Sequence, residues 1–289
     1  MVNGIKRQLP GTLQKLVDEI EQAAGVEIEV RHDPAQEPTA YARALYGDHG
    51  QEGATHDSLR LTLSFKGNIA ATSSVYRQPF AVVAHELLHL HRSEVLRAPG
   101  IHSITGLPPS SSPIRGDAVA RLFTTTGFDE LVEHSAIDPS LPDYGFEFPN
   151  TGSILETWDA FPKQPWENWG RMRWIVLQEF LRVQFLTKNA HLQRHAEGVM
   201  LRFGMLTEGR WLVEQFRWLL ASPDQYTAKF GMCFCLCTIF RVPPSEFMFL
   251  ERRPGYLGIQ SFPPVFTVPK AGGGQITFHL EPPKSGCSR

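Results

Sequence analysis

Residues 82–90 read Val-Val-Ala-His-Glu-Leu-Leu-His-Leu, so three ionisable side chains sit inside a stretch that is otherwise apolar. Apolar positions recur at helical spacing from about Gln78 to Leu96, and Pro99-Gly100 ends the pattern, which predicts a helix over 78–96. Val82, Val83, Leu87, Leu88 and Leu90 fix this helix against a core. Four residues correspond to roughly 400° of helix and about 6 Å of rise, so His85 and His89 stand one turn apart on one face. Glu86 is rotated by about 100° from His85.

The pattern is H-E-x-x-H. Its spacing lets two imidazoles converge on one tetrahedral Zn2+, and lets Glu86 reach a metal-bound water without being a ligand. A pair of hydrogen-bonded core histidines is the plain alternative. These residues resemble the zincin metallopeptidases, over mainly Leu59 to Phe146. The resemblance implies His85 and His89 as zinc ligands and Glu86 as general base and acid. His91 departs from the usual apolar residue at its place. The metzincin branch also needs Gly and His after the motif, but here those places hold Arg92 and Val95.

A third ligand must then come from elsewhere. The resemblance to gluzincins points to a carboxylate on the acidic segment Phe128-Asp129-Glu130-Leu131-Val132-Glu133-His134, with Glu133 first and Glu130 second. Solvated helix charges are the alternative there. His134 and Tyr144 are candidates to contact the developing oxyanion. The chemistry implied is hydrolysis of a peptide bond by a zinc-bound water, with Glu86 moving its proton. Leu59 to Phe65 alternates as a strand, and the resemblance makes it the edge along which an extended peptide substrate pairs.

Elsewhere the pattern predicts a helix over Leu13–Ala24, a strand over Val26–Val30 and a polar stretch from Asp33 to Asp57. Ile101–Pro113 reads as a loop, Asp117–Ser135 as a helix broken near Gly127, and Asp138–Pro165 as irregular. Helices follow at Trp169–Leu186, His191–Leu206 and Arg210–Ala221. A further helix runs to Phe240, opened by a capping box at Ser222-Pro223-Asp224-Gln225. The tail is Pro-rich, with one strand at Gln275–Leu280.

At 289 residues the chain makes one large domain or two modest ones. Its formal net charge is −2, which argues against a nucleic-acid backbone binder. The total hides an asymmetry. Residues 1–165 carry 13 Lys+Arg against 21 Asp+Glu, and residues 166–289 carry 15 against 9. Packing of an acidic half on a basic one explains this, and docking of an acidic partner on residues 166–289 is the alternative. Cys233, Cys235 and Cys237 lie among apolar residues and read as core thiols, while Trp174, Trp211 and Trp218 read as core aromatics. His191 and His195 read as a solvated helix face. Phe230–Phe240 is too short to span a membrane and no leader is evident, so the expected location is the cytoplasm.

The expectation is an α+β protein with a zincin-like small sheet and active-site helix in residues 1–165. A mainly helical subdomain with a Pro-rich tail follows in 166–289. The expected activity is that of a zinc-dependent endopeptidase. A zinc-stabilised regulatory or binding module and a non-peptidase zinc amidohydrolase are the alternatives.

Overall fold

The computed structural model describes residues 6–32, 42–46, 61–65, 69–70, 72–73, 75–103, 127–149, 169–253 and 256–280. It is an α+β fold. Helix α1 (Gly11–Ala24) buries Leu13, Leu16, Val17 and Ile20 on one face and stops at Gly25, whose φ of 72° is left-handed. The next elements are β1 (Ile28–His32), β2 (Ala42–Tyr46), β3 (Leu61–Phe65) and α2 (Ala81–Glu94). The three strands form a mixed sheet in the order β1-β3-β2, with β1 parallel and β2 antiparallel to β3. Both α1 and β2 pack on α2. Leu61, Leu63, Ile28 and the apolar residues of α1 and α2 make one core, closed by Ile137, Leu141 and Phe146.

After β4 (Gly100–Ser103) comes α3 (Gly127–Ser140), which continues into a 3-10 turn at Leu141–Tyr144. Helices α4 (Trp169–Leu186), α5 (Ala190–Arg202), α6 (Leu206–Leu220) and α7 (Gln225–Phe240) build the second core. Strands β5 (Phe247–Arg253), β6 (Tyr256–Ser261), β7 (Val265–Pro269) and β8 (Gln275–His279) complete the fold. β5 lies between β4 and β6 in an antiparallel sheet, and β7 and β8 form a hairpin. Helix α3 belongs to both cores. Its N-terminal Phe128, Leu131 and Val132 pack with α4 and α7, while Ile137 packs under α2. Phe128 stacks between Trp174 and Phe247. No helix among the described residues is long and apolar enough to cross a membrane.

Several expectations change. Of the strand expected over 59–65, Leu61–Phe65 is the centre of its sheet with both sides paired, so a peptide cannot add to it; among the described residues the sheet's edges belong to β1 and β2. The polar stretch 33–57 contains β2, and the loop expected from Ile101 begins as β4. The helix expected over 117–135 is seen from Gly127 and extends to Ser140; residues 117–126 lie outside the described residues. The cap of α7 is Asp224, whose carboxylate accepts from the Thr227 N–H at 3.1 Å, two residues later than Ser222. Among the described residues beyond Phe240 there are four strands where one was expected. The boundary at residue 165 separates charge but not packing, because β4 pairs with β5 and α3 serves both cores.

Candidate metal centre

Helix periodicity decides which side chains meet. On α3, Glu130, His134 and Asp138 are spaced four apart and form one stripe, and Asp129 and Glu133 form the next. The first stripe faces the histidines of α2. His85, His89 and His134 each offer a ring nitrogen, and these atoms all lie within 4.8 Å of one another. The ring centroids are 4.9 Å apart for His85–His89, 4.9 Å for His85–His134 and 5.5 Å for His89–His134. His134 therefore stands with the two histidines of the motif.

Carboxylates act on all three imidazoles, and one of these rings is hydrogen-bonded to its carboxylate. His85 Nδ1 lies 3.1 Å from Asp138 Oδ1 and 2.8 Å from the Tyr76 hydroxyl, which in turn donates to Asp138 Oδ1 at 3.0 Å. With Nδ1 so engaged, Nε2 is the nitrogen of His85 left for a metal. His89 Nδ1 is 3.9 Å from Glu133 Oε2. Glu130 sits one turn before His134, and its charge acts on that ring. Asp138 is itself backed by Arg182 of α4, whose Nε lies 3.8 Å from Oδ2, and Arg182 also pairs with Glu179.

Glu133 is not part of the imidazole group. Arg92 Nε donates to its Oε2 at 2.8 Å, and Lys229 Nζ lies 2.6 Å from its Oε1 and 2.6 Å from Asp129 Oδ1. Adjacent residues on a helix point about 100° apart, so both reach α2 but at different places: His134 meets His85 and His89, and Glu133 turns towards Arg92 and, on α7, Lys229. Where a carboxylate ligand was expected, the structure presents a third imidazole. Glu130, the second choice, is exposed. Tyr144 is half-buried against the N-terminal core, where Glu19 and Asp143 are the charges that act on it. Tyr76 is the tyrosine that reaches the histidines. His91 turns to Glu19 of α1, at 3.6 Å.

The electrostatics favour the neutral form of His89 and His134 and the protonated form of His85. Burial pushes the His89 pKa well below its ordinary value, aided by the charge of His85. Burial and then His85 lower His134 to about 4. For His85 burial acts downward too, but the hydrogen bond and charge of Asp138 outweigh it and leave the pKa raised. Burial would raise Asp138, yet its hydrogen bond and the nearby cations hold it at about 2. Burial likewise opposes ionisation of Glu133, and Arg92 and Lys229 overcome it, keeping its carboxyl below the usual range.

His85 is buried, whereas Glu86, His89 and His134 are half-buried, so the cluster is open to water on one side. The Glu86 carboxylate acts electrostatically on both His85 and Tyr76. Three converging imidazoles, one of them anchored at its second nitrogen, fit a zinc ion, and neutral ligands would leave that ion its full +2 charge. Tyr76, Asp138, Arg92 and Lys229 gave no motif in the sequence. The four-residue step from Glu130 through His134 to Asp138 was the available signal for Asp138, and a lysine heading an apolar run was the signal for Lys229. Comparison with protein-family models, curated proteins and solved structures finds no match.

Proposed function

We propose that the chain is a zinc-dependent endopeptidase in which His85, His89 and His134 hold the metal and Glu86 is the general base. One observation carries this reading: three imidazoles from two helices converge at a point where two of them are only half-buried, and Glu86, the residue after His85, is close enough for its charge to act on that ring. A structural zinc site closes its fourth position and has no use for Glu86. Zinc bound here supplies a water of lowered pKa and polarises the scissile carbonyl. Glu86 takes the proton from the attacking water and delivers it to the leaving amine. Asp138 and Tyr76 hold the His85 ring at Nδ1, and Arg182 keeps Asp138 ionised. His134 acts as a ligand in this reading, so the second oxyanion donor comes from another group.

A zincin-like architecture belongs to the same proposal, supported by a small mixed sheet beside the motif-bearing helix. An extended peptide would add at the open edge of β2, which packs on α2. The three unpaired thiols of α7 fit a reducing compartment such as the cytoplasm. Lys229 and Arg182 of the basic half are paired internally, which favours packing of the two halves over an acidic partner at those positions.

Metal analysis of the purified chain is expected to give about one zinc per molecule. The His85→Ala variant should lose it, and Glu86→Gln should retain it while losing turnover of a peptide library. Full turnover by Glu86→Gln would overturn the assignment of the base. Bound zinc with no cleavage of any peptide by the wild type would favour the structural-module or amidohydrolase alternatives.

A further inference from the structure

We propose that the outer edge of β8 is a self-pairing surface, and that its partner is a second copy of this chain joined two-fold across Thr277. β7 and β8 form a sheet of only two strands, and among the described residues no strand pairs with the other edge of β8. A lone hairpin is marginal in water, and further strands are what usually complete it. The ends of the hairpin show which way its backbone groups point. The Lys270 N–H donates to the Gly274 carbonyl, and the Leu280 N–H donates to the Pro264 carbonyl. Antiparallel bonding alternates along a strand, so Ile276 and Phe278 also bond inward to β7. The N–H and C=O groups of Gln275, Thr277 and His279 therefore face away from the hairpin.

The side chains on this edge suit its own copy. Edge strands are commonly blocked by charge, by proline or by being short. β1 carries Glu29 and Arg31, β2 carries Arg43, β4 has four residues, and β6 has Gly258 in its middle. Gln275-Ile276-Thr277-Phe278-His279-Leu280 holds no Lys, Arg, Asp, Glu or Pro. Two copies meet there without like charges opposed, and the formal net charge of the chain is only −2. Antiparallel pairing centred on Thr277 sets Thr277 against Thr277 and Gln275 against His279 on the exposed face, with about six backbone hydrogen bonds. On the other face it sets Ile276 against Phe278, a β-branched chain against an aromatic ring, once on each side of the two-fold axis. The single chain leaves those residues half covered. Phe278 stacks on Phe266 at 4.8 Å and on Trp218 at 6.2 Å, yet it and Ile276 remain half-buried. One five-residue edge buries less than the roughly 1,200 Å² of a stable interface, so the dimer is weak and forms at micromolar concentrations or above. Nothing in this pairing depends on the metal centre.

Sedimentation equilibrium of the full chain between about 10 µM and 1 mM should show monomer and dimer in exchange, as a small interface requires. Thr277→Pro removes an outward N–H and no bond of the hairpin, and should weaken dimerisation about 10-fold or more. Thr277→Lys sets two cations face to face and should weaken it about 5-fold or more. Both variants should keep the circular dichroism of the wild type. The register is read by diamide oxidation in a Cys287→Ser background. A hydrogen-bonded antiparallel pair holds its Cα atoms about 5.5 Å apart, within disulfide range. Thr277→Cys should crosslink with itself. Gln275→Cys should crosslink with His279→Cys and far less with itself. A monomer at every concentration would overturn the second copy as occupant and leave the edge to an extended segment of another protein. A dimer indifferent to both Thr277→Pro and Thr277→Lys would overturn β8 as its surface, and equal self-crosslinking by Gln275→Cys would overturn the register.

Discussion

Asp138 has the least room to change of any residue outside the imidazole group. It is 1% exposed, accepts from Tyr76 and fixes the ring of His85. Asp138→Asn keeps the shape and removes the charge, and is expected to weaken metal affinity by about 10- to 100-fold. Competition against a chelator of known affinity would measure this. The thiols of α7 behave in the opposite way. Burial pushes Cys235 up to about 12 and Cys233 well above its ordinary value, so neither forms the reactive thiolate at neutral pH. A thiol reagent should therefore leave Cys233 and Cys235 unmodified in the folded protein and label them in denaturant; mass mapping of the labelled sites checks it. His85, Glu86 and His89 could be read from spacing alone, because an i,i+4 pair has only one geometry on a helix. Glu133 and His134 could not be told apart, since neighbours on a helix differ only in rotation, and the packing of α3 sets that rotation.

At the scale of elements, α3 is the part on which the centre depends. One of its stripes completes the imidazole group, and the next meets a lysine that lies 2% exposed on the apolar helix α7. Such a cation survives burial only with its partners in place. Lys229→Met should cost about 3 kcal/mol by removing the buried cation between Asp129 and Glu133 and leaving Glu133 with Arg92 alone. Adding Glu133→Gln should recover part of the loss, and urea midpoints of the two variants would show it. Helices were easier to foresee than strands. Helices α1 and α4 follow long apolar periods, whereas β5 buries Phe247 and Phe249 but opens with four apolar residues in a row and is flanked by prolines, so no alternation marks it in the sequence. Strand β4 carries only four residues, and its place is set by a partner about 150 positions away in sequence, which no local pattern announces.

For the whole molecule, the charge asymmetry between residues 1–165 and 166–289 resolves into particular contacts. Lys229 meets Asp129 and Glu133, and Arg182 meets Asp138, each beside an imidazole of the cluster. A fragment ending at residue 165 lacks both cations and half of the packing around α3. Alone it should bind zinc at least about 100-fold more weakly than the full chain, as expected when outer partners of two ligands are lost. Equilibrium titration of the two proteins side by side would decide it. The same placement of ligands has a mechanical consequence. His89 and His134 lie 45 positions apart in the chain, on two different helices, so an ion gripped by both would work as a clasp across a long loop. By the chain-entropy estimate for a covalent crosslink, closing a loop of that length is worth about 4 kcal/mol. Stripping the metal should lower the melting temperature of the entire chain in one cooperative step, as cutting a bridge would, and calorimetry with and without chelator would record it.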